Sequence, residues 1–479
     1  MFKFLLVFSK QFWIPLARSH APPYGRFAHE TITILNVRPG GYMSNETAAA
    51  PKKALGFWGC WALTVGVMIG SGVFMLPTVL APYGMLSFGG WVITAGGSIT
   101  VALVLGRLAG RTTHSGGPYT FSRDAFGNLP GFLVAWGYWA AVWIGNPAIA
   151  IAFVGYLTIF IPALEGNALY QIFAALALMW GLTLLSIRGA REMSIFQLLM
   201  TILKLIPLLT IIAWGAMAGT PSNMPEFNPS GGALLPVLST TVVLTLWAFA
   251  GLESGTIPAG DVRNAKTTIP RATVIGTITV AVVYITSTIA VMMLVPTEEL
   301  VASTSPFADA ARGLGTWGPL MVAAGAIVST AGSLNGGIFL CGQMPMSVAI
   351  DGLAPKVFAK LNSHGSPQFS LIFGTTISSI LLILNYSRGL VGAFVFLIMM
   401  STLTILVPYL VCALAELKHS IKNARAWAVV ALIAAVYSSF AIWGASQDAG
   451  GLEVIGWGLA WMAVGLPVYW LGKARTPKA

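Results

Sequence analysis

The apolar runs of this chain constrain it more than any other feature. They recur in blocks of about 20 residues, the length an α-helix needs to cross a hydrocarbon core about 30 Å thick. Inside lipid only helices and closed barrels satisfy their own backbone polar groups. The runs are too long and too uniformly apolar to be the alternating strands of a barrel. Of the 479 residues, 56% are hydrophobic and 9% are charged, where soluble proteins average roughly 25% charged. The sequence therefore predicts an all-α integral membrane protein of about twelve transmembrane helices. The spans fall at 55–80, 86–109, 127–157, 168–187, 194–218, 233–258, 270–296, 316–346, 369–386, 390–415, 426–444 and 454–472. No soluble domain interrupts them.

A net charge of +11 raises the question of nucleic acid, but the Lys and Arg residues are scattered singly or in short groups between apolar blocks. That is a membrane-topology pattern and not a basic patch. With the N-terminus placed in the cytoplasm, eighteen basic residues fall in inside segments and two, Arg312 and Arg388, in outside loops. Both ends are thus expected to face the cytoplasm, which requires an even number of spans. Cys60, Cys341 and Cys412 all sit in apolar segments, with no spacing that suggests a disulfide framework or a metal site. No cofactor is expected. Residues 1–42 mix Lys, Arg, His and Pro with one short apolar run, Phe4–Phe8, and read as a disordered tail or as an upstream start ahead of Met43. Residues 43–479 then form a single transmembrane domain.

Two spans contain glycine clusters near their middles. The first holds Ile69-Gly70-Ser71-Gly72-Val73-Phe74 and the sixth holds Ala250-Gly251-Leu252-Glu253-Ser254-Gly255. Glycine costs about 1 kcal/mol in a helix interior, so such clusters mark points where a helix can open. Interrupted helices at matching positions of two halves point to the binding site of a secondary transporter. An opened first helix exposes amide donors suited to a carboxylate, and an opened sixth helix exposes carbonyls suited to an ammonium. Together they would read the two ends of an α-amino acid. The alternative is that both clusters are small-residue contacts between packed helices.

The chain resembles the amino acid–polyamine–organocation superfamily over residues 55 to 472, and most of all its basic amino acid and polyamine antiporter branch. The matching stretches are Gly70-Ser71-Gly72-Val73-Phe74-Met75-Leu76-Pro77, Ser115-Gly116-Gly117-Pro118-Tyr119, Trp143-Ile144-Gly145-Asn146, Leu246-Trp247-Ala248-Phe249-Ala250-Gly251-Leu252-Glu253-Ser254, Ser305-Pro306-Phe307 and Val407-Pro408-Tyr409-Leu410. The resemblance implies a five-plus-five inverted repeat with two added helices, discontinuous first and sixth helices, and often a homodimer in the bilayer. It implies a small-molecule substrate, an amino acid or a related amine, and no nucleic acid.

It also implies roles for particular residues. Ser71 and Gly72 match the carboxylate-binding turn, and Trp247 matches an aromatic residue that closes over substrate, a side chain also suited to a cation–π contact with an ammonium. Met68, Ala141 and Ala250 match pocket walls, and Asn146 matches a polar residue of the third helix facing substrate. Glu253 matches a glutamate linked to proton sensing; its alternative role is to hold the broken sixth helix by hydrogen bonds. Lys204, inside the fifth span, departs from the antiporter branch and resembles a lysine of other superfamily members whose ammonium stands in for a sodium ion. Its alternative is a lysine facing lipid or a crevice. Gly337 stands where the arginine/agmatine exchangers carry a stacking Trp, and Met399 where a serine is usual. Both changes suit the pocket less to a guanidinium.

Other classes remain as alternatives. A proton-coupled amino acid permease would share these residues. An intramembrane enzyme would need a base at depth, yet His20, His29, His114, His364 and His419 fall in the tail or in loops. A channel would need a ring of charge or a repeated filter, and neither is present in the sequence.

Overall fold

The structure is a computed structural model describing residues 56–111, 117–188, 203–256, 262, 264–447 and 451–473. The tail 1–42, Met43, the Ser115-Gly116 part of one matching stretch and the first half of the fifth span lie outside these residues. The described residues fold as helices: α1 (Phe57–Met68), α2 (Ser71–Leu80), α3 (Leu86–Ala109), α4 (Pro118–Phe126), α5 (Asn128–Leu157), α6 (Ala168–Arg188), α7 (Leu205–Ala218) and α8 (Leu234–Phe249). There follow α9 (Ala265–Leu294), α10 (Thr297–Ala302), α11 (Pro306–Ala310), α12 (Trp317–Ile350), α13 (Gln368–Asn385), α14 (Gly389–Ser420), α15 (Arg425–Gly444) and α16 (Gly451–Lys473). Among the described residues, nine stretches are long and apolar enough to cross a membrane, or ten with α1 and α2 taken as one bent span. One of the nine, Gln368–Ser420, holds both α13 and α14.

Three short helices lie where the sequence was read as loop. Gly117, at φ 55, turns the chain into α4, with Pro118 at its first position, where a missing N–H is harmless. In the same way α11 begins at Pro306, while α10 opens after Pro296. These helices were missed because none is long enough to show a hydrophobic period. The tenth expected span also runs further than its expected end at 415, so Glu416 is a second fully buried carboxylate. Its charge is met by Arg107 Nε at 2.8 Å and Arg111 Nη1 at 2.7 Å, both from the end of the second span.

Packing falls into two groups. In one, α9 lies against α1 and α3, and α8 against α3; in the other, α5, α6, α12 and α13 pack on one another. Helix α14 lies along α5 and also touches α8 and α15. Prolines inside long helices stitch the second group. Pro147 cannot donate to Trp143 O four residues back, and Ser378 Oγ of α13 donates to that carbonyl at 2.7 Å. Pro345 likewise frees Cys341 O, which accepts from Trp139 Nε1 of α5 at 3.1 Å. Both carbonyls become links between helices, since lipid offers no water to satisfy them.

Candidate substrate site

The first span breaks where the glycine cluster predicted it. Helix α1 stops at Met68, Ile69 is extended (φ −72, ψ 99), Gly70 is at φ −143 and ψ −141, and α2 starts at Ser71. The two segments meet at 44°. A break leaves carbonyls at the end of the first segment and amides at the start of the second without helical partners. Side chains satisfy the carbonyls. Lys204 Nζ, 1% exposed, donates to Gly66 O and to Ile69 O, the latter at 2.7 Å. Tyr284 of α9 donates to Met68 O at 2.6 Å. Lys204 faces neither lipid nor a crevice, and among the described residues no carboxylate pairs with it. Ser71 and Gly72 are buried, and Gly70, at the N-cap, has no side chain to cap their amides.

The sixth span breaks at the matching cluster. Helix α8 ends at Phe249, Ala250 turns to ψ 133, and Gly251 takes φ 99 before a short 3₁₀ segment, Leu252–Thr256. Glycine is required at 251 twice over: the φ is positive, and an added Cβ would come within 2.6 Å of Val67 Cγ1 on α1. The hydroxyl of Tyr284 also reaches Ala248 O, at 3.1 Å, so one side chain touches the loose ends of both broken helices.

Between the breaks lies the Trp247 indole. A Cβ added at Gly72 would come within 3.2 Å of its Cδ1 and 2.9 Å of the Ala248 Cα, and one added at Gly145 within 2.7 Å of its Cη2. Trp247 therefore spans from the start of α2 to α5, over two glycines that leave it room. Next to Gly145, Asn146 is 2% exposed, and among the described residues its Oδ1 has no hydrogen-bond partner. A Cβ added at Gly337 of α12 would come within 2.2 Å of that oxygen. Ser333 Oγ, one turn before Gly337, is also without a partner and faces the Gly70 break.

The structure thus sets Gly72 and Gly145 against Trp247, with Ser71 and Asn146 next to them in the chain, and sets Gly337 against Asn146. Ala250 is half-buried at the end of α8, with its N–H on Trp247 O. Ala141 is attached to the group by Ser401 Oγ, which donates to Ala141 O at 2.6 Å. Met68 is buried at the break itself, and Met399 is buried on α14, tied to the group only through the helix it shares with Ser401. Sequence reading missed Ser333, Ser401 and Gly145 as neighbours of the site. Gly145 sat inside a matching stretch, but nothing in a sequence says which side chain a glycine makes room for.

Glu253, 1% exposed, lies just past the second break. Tyr138 of α5 donates to its Oε1 at 2.8 Å and Tyr409 of α14 to its Oε2 at 2.7 Å. Among the described residues it forms no ion pair. Two side-chain clusters lie further out along these helices. On the α2 side, Phe74, Phe307 and Tyr156 are fully buried against one another, and the Tyr156 hydroxyl donates to Phe74 O at 2.7 Å while accepting from Phe307 N at 3.2 Å. On the opposite side Glu416 is clamped by Arg107 and Arg111, and Asp351, at the end of α12, accepts from Tyr119 at 2.5 Å and Arg123 at 2.7 Å. Burial, and then the bond to Asp351, push the Tyr119 hydroxyl up, so it stays a donor at working pH.

Two interrupted helices whose breaks are joined by Tyr284 and lie beside the Trp247 indole, in a bundle of apolar helices, define a membrane transporter of small solutes. Residues 55–467 match the amino acid permease family, and the chain belongs to it. Within the family it falls in the basic amino acid and polyamine antiporter branch. It is 34% identical to a cadaverine/lysine antiporter of Escherichia coli over 69% of this chain and 75% of that one. It is 32% identical to a putrescine transporter of Haemophilus influenzae, covering 81% and 91% of the two chains. An arginine/ornithine antiporter of Pseudomonas aeruginosa is 28% identical, over 82% and 86%.

Proposed function

We propose that the protein exchanges amino acids or related amines across the cell membrane by alternating access, binding them at the junction of α1, α2, α5, α8 and α12. The relatives, an arginine/ornithine antiporter, a cadaverine/lysine antiporter and a putrescine transporter, support exchange of such solutes. The observation that carries the site is the pair of breaks. Uncapped amides at Ser71 and Gly72 suit a carboxylate, and the end of α8 with the Trp247 face suits an ammonium.

Glu253 and Lys204 are the coupling and gating groups in this reading. Lys204 occupies carbonyls that a metal ion could otherwise coordinate, which supports sodium-independent transport. A proton-coupled permease is the second reading, favoured by Glu253, a buried carboxylate held by two phenols and no cation. The twelve-span count, the five-plus-five repeat, the cytoplasmic termini and a homodimer belong to the same proposal, as does a single transport domain over 43–479. Counterflow in proteoliposomes tests it. Trans substrate should accelerate uptake of labelled amino acid or diamine; a flux indifferent to trans substrate, or a chemically altered product, would overturn it. The second reading is tested by uptake with an imposed proton gradient and no trans substrate.

A further inference from the structure

We propose that Tyr284 is a positioning residue that fixes the spacing of the two breaks, and that this spacing selects solutes carrying a carboxylate and an ammonium on one carbon. The proposal rests on the exchange function above and narrows its substrate class to α-amino acids. Three observations carry it. The first is a shared proton. Met68 closes α1 and Ala248 stands one residue before the end of α8, so the carbonyl of each has lost its helical N–H. Tyr284 Oη lies 2.6 Å from Met68 O and 3.1 Å from Ala248 O. A phenol carries one proton, so the two carbonyls share a single donor. Sliding one break past the other would lengthen at least one of these two bonds.

The second observation is the seat of the phenol. Tyr284 is fully buried, and its ring packs against Trp91 of α3 at 5.5 Å and against Phe249, the last residue of α8, at 5.7 Å between centroids. A Cβ added at Gly276, earlier on α9, would come within 3.1 Å of Thr64 Cγ2 on α1. Helix α9 is thus seated on α1 by a close backbone approach and on the end of α8 by a ring. The third observation is what adjoins each carbonyl. Met68 precedes the Ser71 and Gly72 amides across the first break, and Ala248 follows Trp247 at the second. In an α-amino acid the carboxylate and the ammonium share one carbon, so their separation is fixed. A site that binds both gains affinity by holding its donors and acceptors at a matching separation beforehand. A diamine has no carboxylate and makes no such demand on the first break.

The experiment measures exchange of labelled ornithine and labelled lysine in proteoliposomes, each against putrescine or cadaverine, the same molecule without its carboxylate. Tyr284→Phe keeps the ring between Trp91 and Phe249 and removes only the hydroxyl. KM for the amino acids should rise about tenfold, the scale of one lost hydrogen bond. The maximal rate per folded protein and the inhibition constants of the diamines should stay within a few-fold. If Tyr284 only holds the fold together, the variant will lower the thermal midpoint and the maximal rate while KM stays unchanged, or will weaken amino acids and diamines alike, and the proposal falls. Should the diamines not compete with the wild-type protein, the split between KM and maximal rate decides by itself. Wild-type protein that exchanges the diamines and neither amino acid would keep the exchange function and overturn the proposal. Wild-type protein that exchanges no amino acid or amine at all would instead remove the exchange function itself. Trp91→Phe, which keeps the hydroxyl and loosens the seat of the ring, is the independent variant if Tyr284→Phe does not fold. It should raise KM for the amino acids several-fold and spare the diamines; an unchanged KM there overturns the proposal.

Discussion

At the first break, backbone carbonyls of α1 are met by side chains from elsewhere: Lys204 on Gly66 O and Ile69 O, and Tyr284 on Met68 O. At the second, a side chain of the broken helix, Glu253, is met by two other side chains, Tyr138 and Tyr409. The first arrangement puts a cation on two oxygens of the chain's own backbone and a phenol on a third. The second puts a carboxyl group on two phenols carried by α5 and α14, so three residues share it. When the ammonium leaves the first break, two of its three carbonyls lose their donor at once. A carboxylate held from two helices ties the broken segment to both, and letting go of either phenol leaves the other in place. We propose that the first break works as a switch and the second as a joint.

The largest expected effects come from the faces the breaks present to substrate. Ser71→Leu fills the turn at the start of α2, and Trp247→Ala removes the indole that spans the pocket. Each should weaken substrate binding by at least about a hundredfold, the leucine by occupying the carboxylate's place and the alanine by lost burial and cation–π attraction. Titration calorimetry on folded protein checks this, and wild-type affinity in both variants would place the site elsewhere. Next is Lys204→Ala, which orphans two buried carbonyls at about 1–3 kcal/mol each and should cut exchange about a hundredfold. Lys204→Gln, which still donates, should retain slow exchange. Uptake by the wild-type protein should be equal in sodium-containing and sodium-free buffer at fixed pH; a clear sodium requirement would refute the switch.

Smaller effects sharpen the joint. Tyr138→Phe and Tyr409→Phe each delete one bond to Glu253, worth about 1–3 kcal/mol where the acceptor is charged. Either alone should slow exchange several-fold, and the double variant should do more than the product of the two. Strict additivity would show that the phenols do not act on one group. Gly251→Ala forces a side chain into φ 99 and onto Val67, at about 1–3 kcal/mol of stability, read as a lower thermal midpoint. The smallest effect is expected from the chain's start: protein beginning at Met43 should transport as the full chain does. A loss of uptake at normal membrane abundance would contradict the reading of 1–42 as dispensable.

Much of this was legible before any coordinates. Membrane insertion follows from apolar runs of a length set by the bilayer, and both helix breaks follow from glycine clusters, because lipid and helix propensity act locally. Lys204 and Glu253 stood out for the same reason: an ionisable residue inside an apolar block has no solvent to explain it. Their partners did not stand out. Tyr138, Tyr284 and Tyr409 are ordinary residues of apolar helices until three distant segments meet, and Ser333 is one serine among many.

The sequence by itself determined where the long apolar helices lie, where two of them open, and that Lys204 and Glu253 are buried, since each depends on a residue and its near neighbours. Only the tertiary structure decided what faces those openings. Gly145 makes room for an indole 102 residues further along, and Gly337 makes room for an amide from another helix. A glycine records in sequence only that a side chain is missing. What fills the space is set by the packing of helices far apart in the chain, where close-packed interiors leave one neighbour room and exclude the rest.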